Sequence, residues 1–208
     1  MRLSHSDLEA CRANPKAWVS SKLTTSGGHP TFGYNQAVKL AIYTYHASND
    51  SQTAKQYLKD KLKRFADATR VAQCKGVLTS YIDWTENEGV IVADCKVRLN
   101  LPLENDLVLG GEISRVDINP DDDSYRAVIL GERSAGWRKE LRFPLIQHEI
   151  ASKYARPVSR VRIGLQNLDG SDLAAAQFTK EQIETSLEEA SSISKAVHEE
   201  FARRMHKK

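Results

Sequence analysis

An α/β fold with an N-terminal helical part is what this 208-residue sequence predicts. Three observations carry that expectation. Up to about residue 88 the apolar residues recur at helical spacing, and Gly89 marks a switch to strand alternation. Beyond it the chain reads as a meander of three strands, a helix, a strand and a long last helix. The expected division is a helical part over 1–88, core strands and a helix over 89–168, and a C-terminal helix over 179–206. All belong to a single domain over 1–208, long enough to bury a sizeable core.

The opening is expected to be helical. Ser4 or Ser6 can cap it, and Leu3, Leu8 and Cys11 lie near one face. Asn14-Pro15 breaks it, and Pro15 suits the first turn of a helix from Lys16 to Lys22. Thr24 to Pro30 is a Ser/Thr/Gly loop. Asn35 to His46 is helical, with Val38, Ile42 and Tyr45 on one stripe. Ser51 to Ala68 is a further helical run with lysines on its polar face. Thr69 to Trp84 continues with Val71, Leu78 and Ile82 at helical spacing.

In the second half, Val97, Leu99 and Leu101 alternate with Lys96, Arg98 and Asn100, the pattern of a half-buried strand. Leu109 to Ile118 and Tyr125 to Glu132 are strands joined by the acidic turn Asp121-Asp122-Asp123. A loop holding Trp137 leads to a helix from near Leu141. Val158 to Leu168 is a strand with Val161, Ile163 and Leu165 on one face, and Asp169-Gly170 turns the chain. Thr179 caps a final helix from Lys180 to about Arg204. Its stripe of Ile183, Leu187, Ile193, Val197 and Phe201 is expected to pack on the domain.

Net charge is only +3, so a nucleic-acid surface has to be a local patch. Cys11, Cys74 and Cys95 are odd in number, far apart and form no Cys-x-x-Cys pair. That spacing argues against a disulfide scaffold, a zinc site or an iron–sulfur cluster, and it fits a cytoplasmic location. No leader or apolar run of spanning length is present, so no membrane association is expected. A Gly-x-x-x-x-Gly-Lys-Ser/Thr phosphate loop and a Gly-x-Ser-x-Gly elbow are both absent, which leaves ATPase and α/β-hydrolase chemistry unsupported.

The stretch Leu109-Gly110-Gly111-Glu112-Ile113-Ser114-Arg115-Val116-Asp117-Ile118, with the strand and helix after it, resembles the core of the PD-(D/E)XK nuclease superfamily. The resemblance is to its RecB-like and CRISPR-associated exonuclease branch. The opening Leu3-Ser4-His5-Ser6-Asp7-Leu8, with Cys11 and then Asn14-Pro15-Lys16-Ala17-Trp18, also looks like that branch. The resemblance implies a restriction-endonuclease-like core sheet flanked by helices. Gly111, Ile113, Arg115, Val116 and Asp117 match its strand motif, with Asp117 in a structural place. The metal-binding aspartate falls on Ser114, and the Asp-x-Lys step falls on Leu130-Gly131-Glu132 or on Glu132-Arg133-Ser134. The Gln-x-x-x-Tyr helix pattern falls on Arg142 to Ile146, and the branch's early-helix histidine falls on Ala37.

With those acids subtracted, the resemblance implies a degenerate nuclease-fold protein. It would bind DNA, or scaffold a DNA-processing or anti-phage assembly with a protein partner, without cutting and without a cofactor. An active nuclease would need a migrated pair, Glu112 and Glu132, holding magnesium or manganese, with Lys139 or Arg133 as the cation. A third possibility is a protein-interaction subunit that does not touch nucleic acid. Trp137 with Arg138, Lys139 and Arg142, joined by Arg160 and Arg162, is the expected DNA contact: cations bind phosphate and an aromatic ring can stack on a base. His29, His46 and His148 lack a partner at metal-ligand spacing.

Overall fold

The computed structural model describes residues 2–24, 32–104, 107–131 and 134–205. It is a mixed α/β structure: a six-stranded sheet flanked, among the described residues, by seven α-helices. The chain runs β1 (Arg2–Ser4), α1 (Leu8–Ala13), α2 (Pro15–Thr24), α3 (Tyr34–Ser48), α4 (Ser51–Leu62) and α5 (Ala68–Asn87). It continues with β2 (Ile91–Pro102), β3 (Val108–Asn119), β4 (Ser124–Leu130), α6 (Arg142–Lys153), β5 (Val161–Gln166), β6 (Ala174–Ala176) and α7 (Lys180–Met205).

Local chemistry sets many of the boundaries. Asp50 caps α4 by accepting the amides of Gln52 and Thr53, and Asp67 caps α5 through the amide of Arg70. Thr179 and Gln182 form a reciprocal capping box at the start of α7. Gly170 has φ +87°, and a Cβ there would lie 2.8 Å from Cβ of Trp84, so the turn after β5 requires glycine. The run expected from Ser51 to Ala68 divides at Leu62 because Asp67 begins a new helix.

The opening is the main correction. Arg2–Ser4 is a strand, not a helix, and pairs in parallel with Val108–Gly110. Three residues carry no readable periodicity, so only the tertiary partner defines β1. β6 went unpredicted for the same reason. Val158–Arg160 is a short 3-10 turn ahead of β5 rather than part of it. The loop expected from Thr24 to Pro30 lies, past Thr24, outside the described residues.

The sheet order creates a gap. β2 lies antiparallel to β3 along one edge, from Val108 to Ile118. β1 and β4 therefore share the other edge: β1 covers Val108–Gly110, and β4 covers Arg115–Asn119. Between them, residues 111–114 of β3 have no strand partner on that edge.

Two apolar layers close the sheet. Val128 and Leu130 of β4 pack with α3, α4 and α5, while Ile113, Val116, Ala127 and Ile163 pack with α6, Trp137 and the start of α7. The stripe of α7 closes on α1 and α2 through Ile193 and Val197.

A polar cluster is buried where the helical layer meets β3. Arg115 is 1% exposed and grips Asp117, 4% exposed, through Nε at 2.6 Å and Nη2 at 3.3 Å. Arg126 of β4 donates to the same carboxylate at 3.0 and 3.1 Å. Arg115 also donates to the Tyr81 hydroxyl of α5, which lies 2.8 Å from His46 Nε2 of α3. Burial, then the nearby Arg115, pulls the His46 pKa down to about 4.

Two predictions follow from this cluster. Asp117→Ala strands a buried guanidinium and should destabilise the protein by about 3–5 kcal/mol in urea unfolding. His46 is neutral in the folded state, so the unfolded chain takes up its proton first as pH drops below the ordinary 6.5. Its contribution is full above pH 6.5 and is lost towards pH 4. Unfolding across that window should show a shallower loss of stability in His46→Gln than in the parent protein.

Candidate functional site

The gap in the β3 edge is where the chemistry-bearing side chains gather. At its upper end the ladder between β3 and β4 stops at Arg115 and Val128. Leu130, two residues further along β4, donates its amide to the Ser114 hydroxyl at 3.0 Å instead of to a β3 carbonyl. A side chain thus does the work of a missing backbone acceptor. Leu130 itself is 1% exposed and packs into the helical layer. Below Ser114, the Glu112 carboxylate accepts from the Tyr43 hydroxyl of α3 at 3.1 Å. Burial pushes the Tyr43 hydroxyl pKa up, with the Glu112 charge adding to it.

His5 closes the lower end. Its backbone amide donates to Gly110 at 2.8 Å, extending β1, and its ring lies over Gly111. A Cβ on Gly111 would come within 2.0 Å of His5 Cδ2, so only glycine admits the ring. Burial, then the charge of Arg142, lowers the His5 pKa to about 4. Its Nδ1 has no hydrogen-bond partner among the described residues. Lys39 lies one helical turn before Tyr43 on α3, where it feels the Glu112 charge, with Nζ beside Gly131 at the end of β4. Burial lowers its pKa. Cys95 adds a thiol that donates to the Ser114 carbonyl at 3.3 Å, and burial raises its pKa to about 11.

Two clefts open beside the gap. One, of about 680 Å³, is bordered by Glu112, Gly111, Arg2 and Arg98. The other, of about 730 Å³, lies between α3, α5 and the ends of β4 and β5, with Lys39 and Gly131 on its wall.

These residues do not compose a metal shell. Among the described residues no group of three or more His, Cys, Asp or Glu could hold an ion. Glu112 is held by Tyr43, Ser114 Oγ by the Leu130 amide, and Leu130 has no ligand atom. Glu132 and Arg133, the other residues of a migrated set, lie outside the described residues. Lys139 borders a different cleft from Glu112, together with Arg12, Glu181 and Glu189.

The arginine and tryptophan group expected to meet DNA is dispersed. Trp137 is 4% exposed, its ring edge-on to Phe143 in the core, which removes its faces from stacking on a base. Arg142 pairs with Glu140 at 2.7 Å and covers Phe143. Arg138 and Lys139 are exposed but share their cleft with Glu140, Glu181 and Glu189. Arg160 and Arg162 belong to the opposite end of β4 from Gly131, about 20 Å away by the length of that seven-residue strand. There Arg160 donates to the Asp122 backbone carbonyl, and Arg156 pairs with Asp123, so the acidic turn engages Arg156 and Arg160. His46 is partly buried in the Tyr81 cluster.

Lys39, Tyr43 and His5 went unnoticed in the sequence. The available signal was Lys39 and Tyr43 at i and i+4 on one side of α3.

No protein-family model matches this sequence, and no curated protein matches it either. Among solved structures, the fold is similar to that of a "putative exonuclease" from Eubacterium rectale. The match has TM-score 0.59 and 10% identity, and covers 96% of this chain and 82% of that one. The structure of SSO0001 overlaps at TM-score 0.29 and 9% identity, over 89% and 85% of the two chains. The first of these shares the fold, at an identity that speaks for fold alone.

Ser114→Ala should leave the buried Leu130 amide without an acceptor and cost about 1–3 kcal/mol in denaturant unfolding. Ser114→Thr, which keeps the hydroxyl, should recover most of that loss.

Proposed function

We propose that this chain is a nuclease-fold protein that binds DNA, alone or as a scaffold within a larger DNA-processing assembly, and does not cut it. Ser114 carries the reading. The resemblance puts a metal-binding aspartate at its position, and here a neutral hydroxyl stands there with its oxygen engaged by the Leu130 amide. The second acid of that pattern falls on Leu130, buried in the helical layer.

Metal-dependent phosphodiester cleavage needs carboxylates that converge on a cation. The cation neutralises the phosphate and lowers the pKa of its bound water. Among the described residues, one glutamate tied to a tyrosine does not supply that shell. What the gap retains is suited to contact: a half-buried lysine, a glutamate and a tyrosine beside two open clefts.

Labelled single- and double-stranded DNA, incubated with the protein in magnesium, in manganese and with EDTA, tests both halves of the proposal. Binding that weakens steeply with salt and leaves the DNA intact is expected. Metal-dependent products that disappear in Glu112→Ala or Glu132→Ala would instead establish an active nuclease with migrated acids. Absence of binding to either DNA would leave a subunit that works through protein partners.

A further inference from the structure

Residues 55–75, covering most of α4 and the start of α5, hold seven Lys and Arg against two Asp. This surplus of five exceeds the net charge of the whole chain, +3. Apart from the half-buried Lys61, these cations are exposed. Across the seam between α4 and α5, Lys55, Lys59 and Lys75 border a groove floored by Leu58 and Leu78. The basic patch that the weak net charge demands is therefore on the helical part.

Aromatic rings are interleaved with these cations. Arg64 stands 3.6 Å over the Phe32 ring, Phe32 stacks on Phe65 at 6.4 Å, and Phe65 stacks on Tyr34 at 4.3 Å. Arg70 lies 5.7 Å over Tyr34 and completes the ladder. The rings are half-buried, each with part of its surface open. Tyr34 and Arg70 also form the wall of the 730 Å³ cleft, whose far side is Lys39 and Gly131 at the β3 gap. Amides of Asn35, Gln73 and Asn167 line the same space.

We infer that this cleft, with the cation–aromatic ladder at its mouth, is a binding track for single-stranded nucleic acid. Alternating cations and stacking rings match a phosphate backbone with splayed bases. The volume is that of a small-ligand pocket, about 300–1,000 Å³, which admits an unpaired nucleotide and excludes a duplex. The side-chain amides offer donors and acceptors to a base edge. Lys39, kept short of water by burial, faces the inner end, where a phosphate would replace its solvation. The inference rests on the DNA-binding reading above and assigns it a strand type and a place.

Fluorescence anisotropy with a short labelled oligothymidylate and its duplex is the test, run on the full chain. Tyr34→Ala and Arg70→Glu should each weaken single-strand binding about tenfold or more, as loss of a stacking ring or a phosphate contact does. Arg138→Glu with Lys139→Glu should change it less than about twofold. Lys59→Glu with Lys75→Glu, both exposed on the adjoining basic groove, repeats the test should either cleft variant unfold. A strand carrying 4-thiothymidine should crosslink to α3 and α5. Equal affinity for the duplex, crosslinks confined to the Arg138 segment, or indifference to the helical substitutions would overturn the track and leave DNA binding standing. No binding to either DNA would overturn both.

Discussion

The structure hangs on one buried carboxylate. Asp117 faces the helical layer from β3 and is held by Arg115 two residues before it and by Arg126 across the ladder. Taking these charges out of water is costly, and the cost is met only if every partner is in place. That requirement reaches beyond the sheet: Arg115 needs the Tyr81 hydroxyl from α5, and Tyr81 in turn meets His46 from α3. The cluster thereby fixes the register of two helices against β3. Tyr43 and Lys39 precede His46 on α3, so anchoring His46 sets them along β3 towards Ser114 and Glu112. The site inherits its geometry from a structural ion cluster.

The second constraint is the unshared edge of β3. A parallel β1 at one end and an antiparallel β4 at the other leave residues 111–114 between them, and each backbone group there needs another arrangement. Ser114 supplies the acceptor for the Leu130 amide, and the His5 ring fills the space over Gly111. In a metal-dependent enzyme such a gap would be filled by carboxylates and their ion. Here, among the described residues, the Ser114 hydroxyl, the His5 ring and a Glu112 carboxylate bonded to Tyr43 occupy it. The polar interior that remains is small, and the charge that could attract a polyanion stands on α4 and α5 instead.

Much of this was legible from residue patterns. The switch of period at Gly89, the Thr179 cap and the core strands all follow from local rules. The alternation from Gly111 to Asp117 marked β3, the strand on which the gap lies. What local rules could not give was long-range pairing. β1 is three residues long and exists because Val108–Gly110 offers an edge. Trp137 followed by Arg138 and Lys139 reads as an exposed basic-aromatic contact, yet the aromatic ring is in the core against Phe143. A tryptophan beside cations has the same sequence signature on either side of the surface. The lysines of α4 were visible as a polar face, but their convergence with Phe32, Tyr34 and Arg70 depends on how three helices pack.

The proposal that this chain does not cut DNA turns on whether the gap in β3 takes up a divalent metal. Manganese titration of the purified chain, followed by paramagnetic broadening of backbone amide resonances, addresses it directly. The account predicts that the amides of Gly111 to Ser114 and of Leu130 keep their intensity at millimolar manganese. Selective broadening at those amides, abolished by Glu112→Gln, would contradict it and return the site to metal chemistry.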